Sequence, residues 1–371
     1  MNEPIRVLHV IGIMNQGGAE TMIMNIYRKV DRNKVQFDFV ENENDGAFFD
    51  EEIRKLGGRI YHCPRFTGKN FLKYRKWWIE FLEKHKEFSA VHGHIGSTAA
   101  IYLKEAKKNG LVTIAHSHNI DAKDRKQFIY NIFSHPVRKI ADYFFMCSIQ
   151  AGRDRFGENV INDSHKSFLI PNAIDTEQFR FNEKKRATKR NELGIKEKEL
   201  LVGHIGRFAE QKNHSFLLDV FKEVTIMNPS SKLLLVGDGD LRQTIIEKIH
   251  DLDLDDKVIM VGTREDANEL MTAMDVLLFP SKYEGLPVTL VEAQCSGLPC
   301  VISDNIPEDS ILIKDLVTVL SLNESSSIWA KQVLQSKPFI RSESADQIKG
   351  TEFDVVKSTK WLEEFYLERA K

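Results

Sequence analysis

No stretch of the sequence approaches the roughly 20 consecutive apolar residues that a membrane-spanning helix needs, so the chain is not expected to be integral to a membrane. Cysteine is scarce. Cys63, Cys147, Cys295 and Cys300 are the full set, and no two of them form a Cys-x-x-Cys pair. Cys295 and Cys300 bracket Ser-Gly-Leu-Pro, which suits a helix-to-strand turn better than a metal knuckle. Scattered thiols of this kind exclude a disulfide scaffold and fit a reduced, cytoplasmic protein. A Gly-x-Gly-x-x-Gly dinucleotide pattern is missing, as are long-period repeats and low-complexity tracts. Large net charge is missing too: the formal value is -2, which by itself rules out nothing. No nucleic-acid partner is expected. The opening run Ile5–Gly12 is too short to span a membrane and leads straight into Gly17-Gly18-Ala19-Glu20, so it reads as a first strand rather than a signal peptide.

What is present is a chain of 371 residues with ordinary globular composition, long for one domain and comfortable for two. The first 176 residues carry a net +5 and the remainder -7, which hints that the first half meets something anionic. In that half, strand-like runs at 5–12, 35–40, 89–92, 111–115 and 143–147 alternate with helical patterns near 19–30, 48–56, 70–88, 97–109 and 124–141. Alternation predicts a parallel sheet covered on both faces. The charged stretch Asn182 to Lys198 marks the domain boundary. The pattern then restarts, with strands at 200–205, 232–236, 258–260, 275–279 and 299–302. Helices follow near 213–227, 240–252, 265–273, 287–296 and 325–335. The fold class is therefore α/β, with two tandem Rossmann-like, doubly wound domains and a cleft between them, where small-molecule sites usually lie. Domains are expected at 1–176 and 177–352. Phe353 to Leu367 reads as an amphipathic helix through Phe353, Val356, Trp361, Leu362, Phe365 and Tyr366.

The stretch Tyr283–Ala293 organises the chain. It follows the apolar run Val276–Phe279, which reads as a buried strand ended by Pro280-Ser281. Gly285 and Pro287 then open a helix, with the N–H groups of Val288, Thr289 and Leu290 left free as an anion site. Gly285, Leu286, Val288 and Thr289 are donor-binding candidates, flanked by Glu284 and Glu292. Two acids beside a phosphate-binding helix end suit a nucleotide-sugar, which carries both hydroxyls and phosphates. In Gly206-Arg207-Phe208-Ala209-Glu210-Gln211-Lys212, Arg207 offers a planar fork and Lys212 a point charge, able to hold a diphosphate from two directions. Gly17 and Gly18, between first strand and first helix, let backbone approach a ligand closely.

His92-Gly-His94 and His116-Ser117-His118-Asn119 are paired histidines at strand ends. No supporting Cys or carboxylate accompanies them, so no metal site is assigned. Asp238-Gly239-Asp240 has the look of an Asp-x-Asp metal motif but ends a strand and starts a helix, where Asp serves as a cap. Gly262-Thr263-Arg264 follows another strand and on its residues alone reads as a capping loop.

In order, Gly206-Arg207-x(4)-Lys212 and Ser281-x-x-Glu284-Gly285-Leu286-Pro287 with Glu292 resemble the signature of retaining GT-B glycosyltransferases of family 4. The opening through Gly17-Gly18-Ala19-Glu20-Thr21 looks most like bacterial exopolysaccharide and capsule transferases. The resemblance implies roles residue by residue. Glu292 accepts from the ribose hydroxyls, Thr263 and Arg264 frame the base, and Glu284 lies near the donor sugar. His118 touches that sugar, Gly17 and Gly18 cover the diphosphate, and the last helix (353–371) packs back on the first domain. Arg207, Lys212, Glu284 and His118 make up the catalytic set, no metal or other cofactor is needed, and reaction proceeds on one face of the sugar. Two departures stand out: Asp240 where relatives have Gly-x-Gly-Pro, and Asp309–Lys314 where many carry a glycine-rich loop.

Arg65 to Phe88 interleaves basic and aromatic residues, and Lys123–Arg138 repeats the flavour. Each reads as a membrane-surface element or as a surface helix with its aromatic face in the core. The expected function is retaining transfer of a hexose or N-acetylhexosamine from a nucleotide-diphosphate sugar, a UDP-sugar first, to a saccharide acceptor linked to a polyprenyl diphosphate. The setting is cytoplasmic, with peripheral contact at the inner face of the membrane. A nucleotide-sugar 2-epimerase of related fold and a non-catalytic sugar-nucleotide-binding subunit are the alternatives.

Overall fold

The computed structural model describes residues 3–15, 17–42, 46–118, 135–336 and 341–370. The chain divides into two compact units, Met1–Ala173 with Gly350–Lys371, and Ile174–Lys349. Strands in the first unit are β1 (Ile5–Val10), β2 (Val35–Glu41), β3 (Ile60–His62), β4 (Phe88–Gly93), β5 (Val112–Ser117), β6 (Tyr143–Met146) and β7 (Ser167–Leu169). They form one parallel sheet in the order β3-β2-β1-β4-β5-β6-β7. Such strands are covered on both faces, which is why β2 is buried along its whole length. Its one aspartate is compensated: Arg6 donates twice to Asp38, at 2.7 and 2.6 Å, and the Arg59 backbone N–H adds a third bond at 2.7 Å.

The C-terminal helix Val355–Arg369 belongs to this first unit. Asp354 caps it by accepting from the Val356 N–H at 3.0 Å. Val355, Leu362, Phe365 and Tyr366 join the core that Val7, Phe37, Phe39 and Phe145 form on one face of the sheet. Each such burial stabilises by about 1.5–3 kcal/mol. Val356, expected inside, is 59% exposed, because the helix phase turns its neighbour Val355 inward instead.

The second unit holds β8 (Leu200–Ile205), β9 (Ser231–Val236), β10 (Val258–Gly262), β11 (Val276–Phe279), β12 (Cys300–Ser303) and β13 (Val317–Leu320), in the order β10-β9-β8-β11-β12-β13. The charged stretch expected to mark the boundary is not a linker. It carries the helix Glu183–Glu192, whose buried Lys189 and Arg190 bind Asp266 at 2.7 Å and Asp275 at 3.1 Å, both within the second unit. In each sheet the strand order reverses once, between β1 and β4 and between β8 and β11. Ligands of open α/β sheets bind at the carboxyl ends of strands at such a reversal.

The expected helix at 124–141 is seen over Val137–Ile140, and residues 119–134, including Asn119 and most of Lys123–Arg138, lie outside the described residues. No helix among the described residues is long and apolar enough to cross a membrane.

Candidate active site

In the second unit the loops after β8 and β11 meet at the strand-order reversal. Phe208 anchors the first loop by full burial, and its backbone N–H donates to Asp238 O at 2.9 Å. This contact explains two glycines. A Cβ on Gly237 would collide with the Gly206 carbonyl oxygen, and one on Gly239 would press on Phe208 backbone. Asp240 is not the helix cap expected of it: the helix begins at Arg242 with Leu241 before it, while Asp238 accepts from the Gly239 N–H at 2.8 Å. Neither aspartate belongs to a metal-capable group among the described residues.

Further along, a short 3-10 turn, Glu210–Lys212, runs into Asn213, whose left-handed backbone (φ 56°) redirects the chain into the helix His214–Met227. Left-handed conformation suits Asn better than most residues. Asn213 also donates to Pro280 O at 3.1 Å, and Gln211 O accepts from the Lys282 N–H at 2.8 Å. These bonds stitch the two loops together and set Lys212 against Glu284. The Lys212 ammonium lies 2.7 Å from Glu284 Oε1 and 4.7 Å from the centre of the Phe279 ring. Gln211, which sequence reasoning passed over, donates to the other carboxylate oxygen at 3.0 Å. Only its position between Arg207 and Lys212 pointed to it. Arg207 is exposed and has no partner among the described residues.

The helix beyond runs Val288–Cys295 with Pro287 as its cap. The Leu290 N–H, expected free, donates to Pro287 O at 2.9 Å, since the capping carbonyl already reaches the first turn. Val288 and Thr289 keep their N–H groups without a partner among the described residues. Glu292 sits one turn along, half-buried, and burial pushes its carboxyl up to about 7. Gly285 and Leu286 lie in the connecting loop. Thr263 and Arg264 are exposed after β10, two strands from β8, and Arg264 is tied to Asp266 at 2.7 and 2.8 Å. Where relatives have a glycine-rich loop, residues 310–313 are pinned by buried Gln294, which donates to Ser310 O and accepts from the Leu312 and Ile313 N–H groups.

In the first unit, β1, β4 and β5 are neighbours, so histidines from separate parts of the sequence line up at their carboxyl ends. His9 pairs in register with His92. His9 Nδ1 lies 3.0 Å from His94 Nε2, and His94 Nδ1 lies 2.7 Å from His118 Nε2. Beside this line, His92 Nδ1 lies 2.6 Å from the Tyr366 hydroxyl and His92 Nε2 3.1 Å from His116 Nδ1. Burial lowers all five, His9 to about 3 and His118 to about 4, so the imidazoles are neutral at pH 7. The groups His9–His92–His94 and His94–His116–His118 each bring three possible ligand atoms within 4.8 Å, a convergence that sequence spacing did not show because it depends on strand order.

Gly17 precedes the first helix, Gly18–Lys29. The Glu20 carboxylate folds back over it, where a Cβ on Gly17 would collide, and burial holds that carboxyl above its ordinary value. Gly18 faces the Asn172 amide, 3.6 Å from where its Cβ would stand. Asn172 is buried and follows β7 in Pro171-Asn172-Ala173; it too was missed as a site residue. All four cysteines are buried, and burial pushes the thiols up, Cys147 to about 11 and Cys63 and Cys295 to about 12, so none is a ready nucleophile.

Two family models match the chain, "Glycosyltransferase Family 4" over residues 16–178 and "Glycosyl transferases group 1" over 185–333. The putative glycosyltransferase EpsF of Bacillus subtilis is 40% identical over 338 residues, covering 89% of this chain and 87% of EpsF. An Escherichia coli UDP-Gal:α-D-GlcNAc-diphosphoundecaprenol α-1,3-galactosyltransferase is 27% identical over 245 residues, 63% of this chain and 62% of that protein. Among solved structures, Anabaena HepE in complex with UDP superposes with a TM-score of 0.81 at 17% identity, over 98% of this chain and 100% of HepE. The chain belongs to family 4 of the GT-B glycosyltransferases.

Proposed function

We propose that this protein is a retaining transferase that moves a hexose or N-acetylhexosamine from a UDP-sugar to a lipid-linked saccharide in exopolysaccharide or capsule synthesis. The observation that carries the reading is the largely buried Lys212–Glu284 pair at the strand-order reversal of the second unit, with Arg207, on the same loop, unpartnered among the described residues. As the glycosidic bond breaks, negative charge grows on the leaving diphosphate. Arg207, Lys212 and the N–H groups of Val288 and Thr289, unpartnered among the described residues, are fixed donors for that charge, which lowers the barrier without a metal. Glu284, oriented by Lys212 and Gln211, would face the sugar as positive charge develops at its anomeric carbon. Glu292 would take the ribose hydroxyls, and Thr263 and Arg264 would frame the base. On the first unit, Gly17, Gly18 and His118 would meet the diphosphate and the sugar.

UDP is favoured as the nucleotide because the HepE structure holds it, and the E. coli relative's name supports an acceptor on a polyprenyl diphosphate. Contact with the inner face of the cytoplasmic membrane would use the start of the helix Phe71–Lys84. There Phe71 and Leu72 are exposed beside Lys69, Lys73 and Lys76, while Tyr74, Trp78 and Phe81 fill the core.

Thermal-shift measurements with a panel of nucleotides and sugar nucleotides, in EDTA, test the reading. Selective stabilisation by UDP or one UDP-sugar is expected. Indifference to every nucleotide would sink it in favour of a non-catalytic role.

A further inference from the structure

The histidine line in the first unit carries more information than its end residue. Neutral imidazole has one N–H and one lone pair, so a ring that uses both nitrogens must donate from one and accept at the other. His94 is such a ring, between His9 and His118. Both bonds therefore run in the same direction along the line, and the ends decide which.

Were the bonds to run toward His9, its Nε2 would carry a proton with nothing to receive it. Among the described residues that atom is buried without a partner, on a ring packed against Phe37 at 4.3 Å and Phe39 at 5.6 Å. Orphaned buried N–H groups are rarer than unfilled acceptors. Running toward His118, the line leaves His9 Nε2 as a bare lone pair and puts a proton on His118 Nδ1. The other end agrees. Among the described residues both His118 Nδ1 and the Asn172 amide oxygen are buried without a hydrogen bond, and the nearby Asn172 side chain favours the protonated His118 ring, so a proton on Nδ1 has an acceptor on that side.

We infer that the line His9–His94–His118 holds His118 in the tautomer protonated on Nδ1, with that N–H on the buried Asn172 side of the ring, and so fixes the orientation in which the ring meets the substrate. His9 and His94 are then positioning residues. His118 is the end of the line that faces substrate: it is only half-buried, and Asn172, beside it, also lies over Gly18. That the ring meets substrate rests on the transferase reading; the tautomer does not. The same line assigns the nitrogens that face each other between His9, His94 and His118 to hydrogen bonds rather than to a metal.

The test is 15N NMR of the full-length protein labelled in histidine, in which two-bond couplings report which ring nitrogen carries the proton. Wild-type His118 is expected as the Nδ1–H form. His94→Phe breaks the line and should release His118 to the Nε2–H form. His94→Asn, whose amide can still donate to His118 Nε2, should restore Nδ1–H. His9→Phe, which suits its aromatic surroundings, serves as the second variant if His94→Phe does not fold; the His204 and His214 signals of the other unit report on folding. In the transfer assay, kcat should fall about tenfold or more in His94→Phe and recover in His94→Asn. UDP affinity should hold in both. An Nε2–H form in wild type, or a tautomer unchanged by His94→Phe, overturns the inference. So does a stoichiometric transition metal bound through His94 or His118. An Nδ1–H His118 in a protein that transfers no sugar would instead overturn the transferase reading and leave the relay standing.

Discussion

Lys212 and Glu284 expose only 15% and 7% of their side chains, so each charge depends on the other for what water no longer supplies. Removing one partner of such a pair costs about 3–5 kcal/mol, because the survivor is left buried and uncompensated. Lys212→Ala is therefore expected to lower stability by about that amount in urea unfolding as well as to abolish transfer. Glu284→Gln keeps an amide oxygen for Lys212 or Gln211 but not the charge, so it should lose less stability than Lys212→Ala, with kcat down about 100-fold or more. A Glu284→Gln protein with wild-type turnover would remove Glu284 from the reaction. Glu292 answers to pH instead. Its carboxyl is raised to about 7, so it loses its charge as pH falls through neutrality and no longer accepts from a diol as a carboxylate. UDP affinity measured by calorimetry should weaken from pH 8 to pH 6, and Glu292→Gln should flatten that dependence.

Between elements, the contact that matters most to the site is the one where Gly206–Phe208 rests on Gly237–Gly239. Gly237 has φ 136° and no room for a Cβ. Gly237→Ala is expected to cost about 1–3 kcal/mol from backbone strain alone, and to shift the loop that carries Arg207. A lower melting temperature together with weakened UDP binding would show both. The glycines, the Lys212 loop and the long strands were all legible in the sequence, since each leaves a local mark: an apolar run, a turn residue, a charge after a strand. Strands β3, β7 and β13 were not. At three or four residues apiece they are too short to show a period, and they exist because a sheet edge was there to pair with. The helix Glu183–Glu192 was misread as a boundary for a related reason. Its anchors, Lys189 and Arg190, look solvated until Asp266 and Asp275, more than seventy residues away, are seen to hold them. His92, His94, His116 and His118 could be singled out as pairs, yet the link to His9 follows only from β1 lying beside β4.

Across the molecule, buried imidazoles are unevenly shared. His9, His92, His94, His116 and His118 lie in the first unit, and His204 and His214 in the second, all with pKa lowered by burial. Their unfolded value is near 6.5, so below that pH the unfolded chain binds more protons and stability falls as pH drops. Each such group contributes up to about 1.4 kcal/mol per pH unit. Glu41, raised to about 7 by burial, and Glu20, also raised by burial, act the other way, two groups against five. The first unit should therefore unfold in acid before the second. Tryptophan emission reports it, since Trp77, Trp78 and Trp361 belong to the first unit and Trp329 to the second. A single transition seen equally by all probes would refute the order.

The return of the last helix to the first unit also sets an order of events during synthesis. Domains usually fold as units when their residues have left the ribosome, the earlier before the later. Here the earlier unit has Val355, Leu362, Phe365 and Tyr366 missing from its core until the helix Val355–Arg369 has emerged. The second unit, complete at Lys349, can close first. Translation thus runs ahead of folding for the half of the protein that is made first, and the nascent first sheet must wait, one apolar face unsealed, for a helix made after the whole of the second unit.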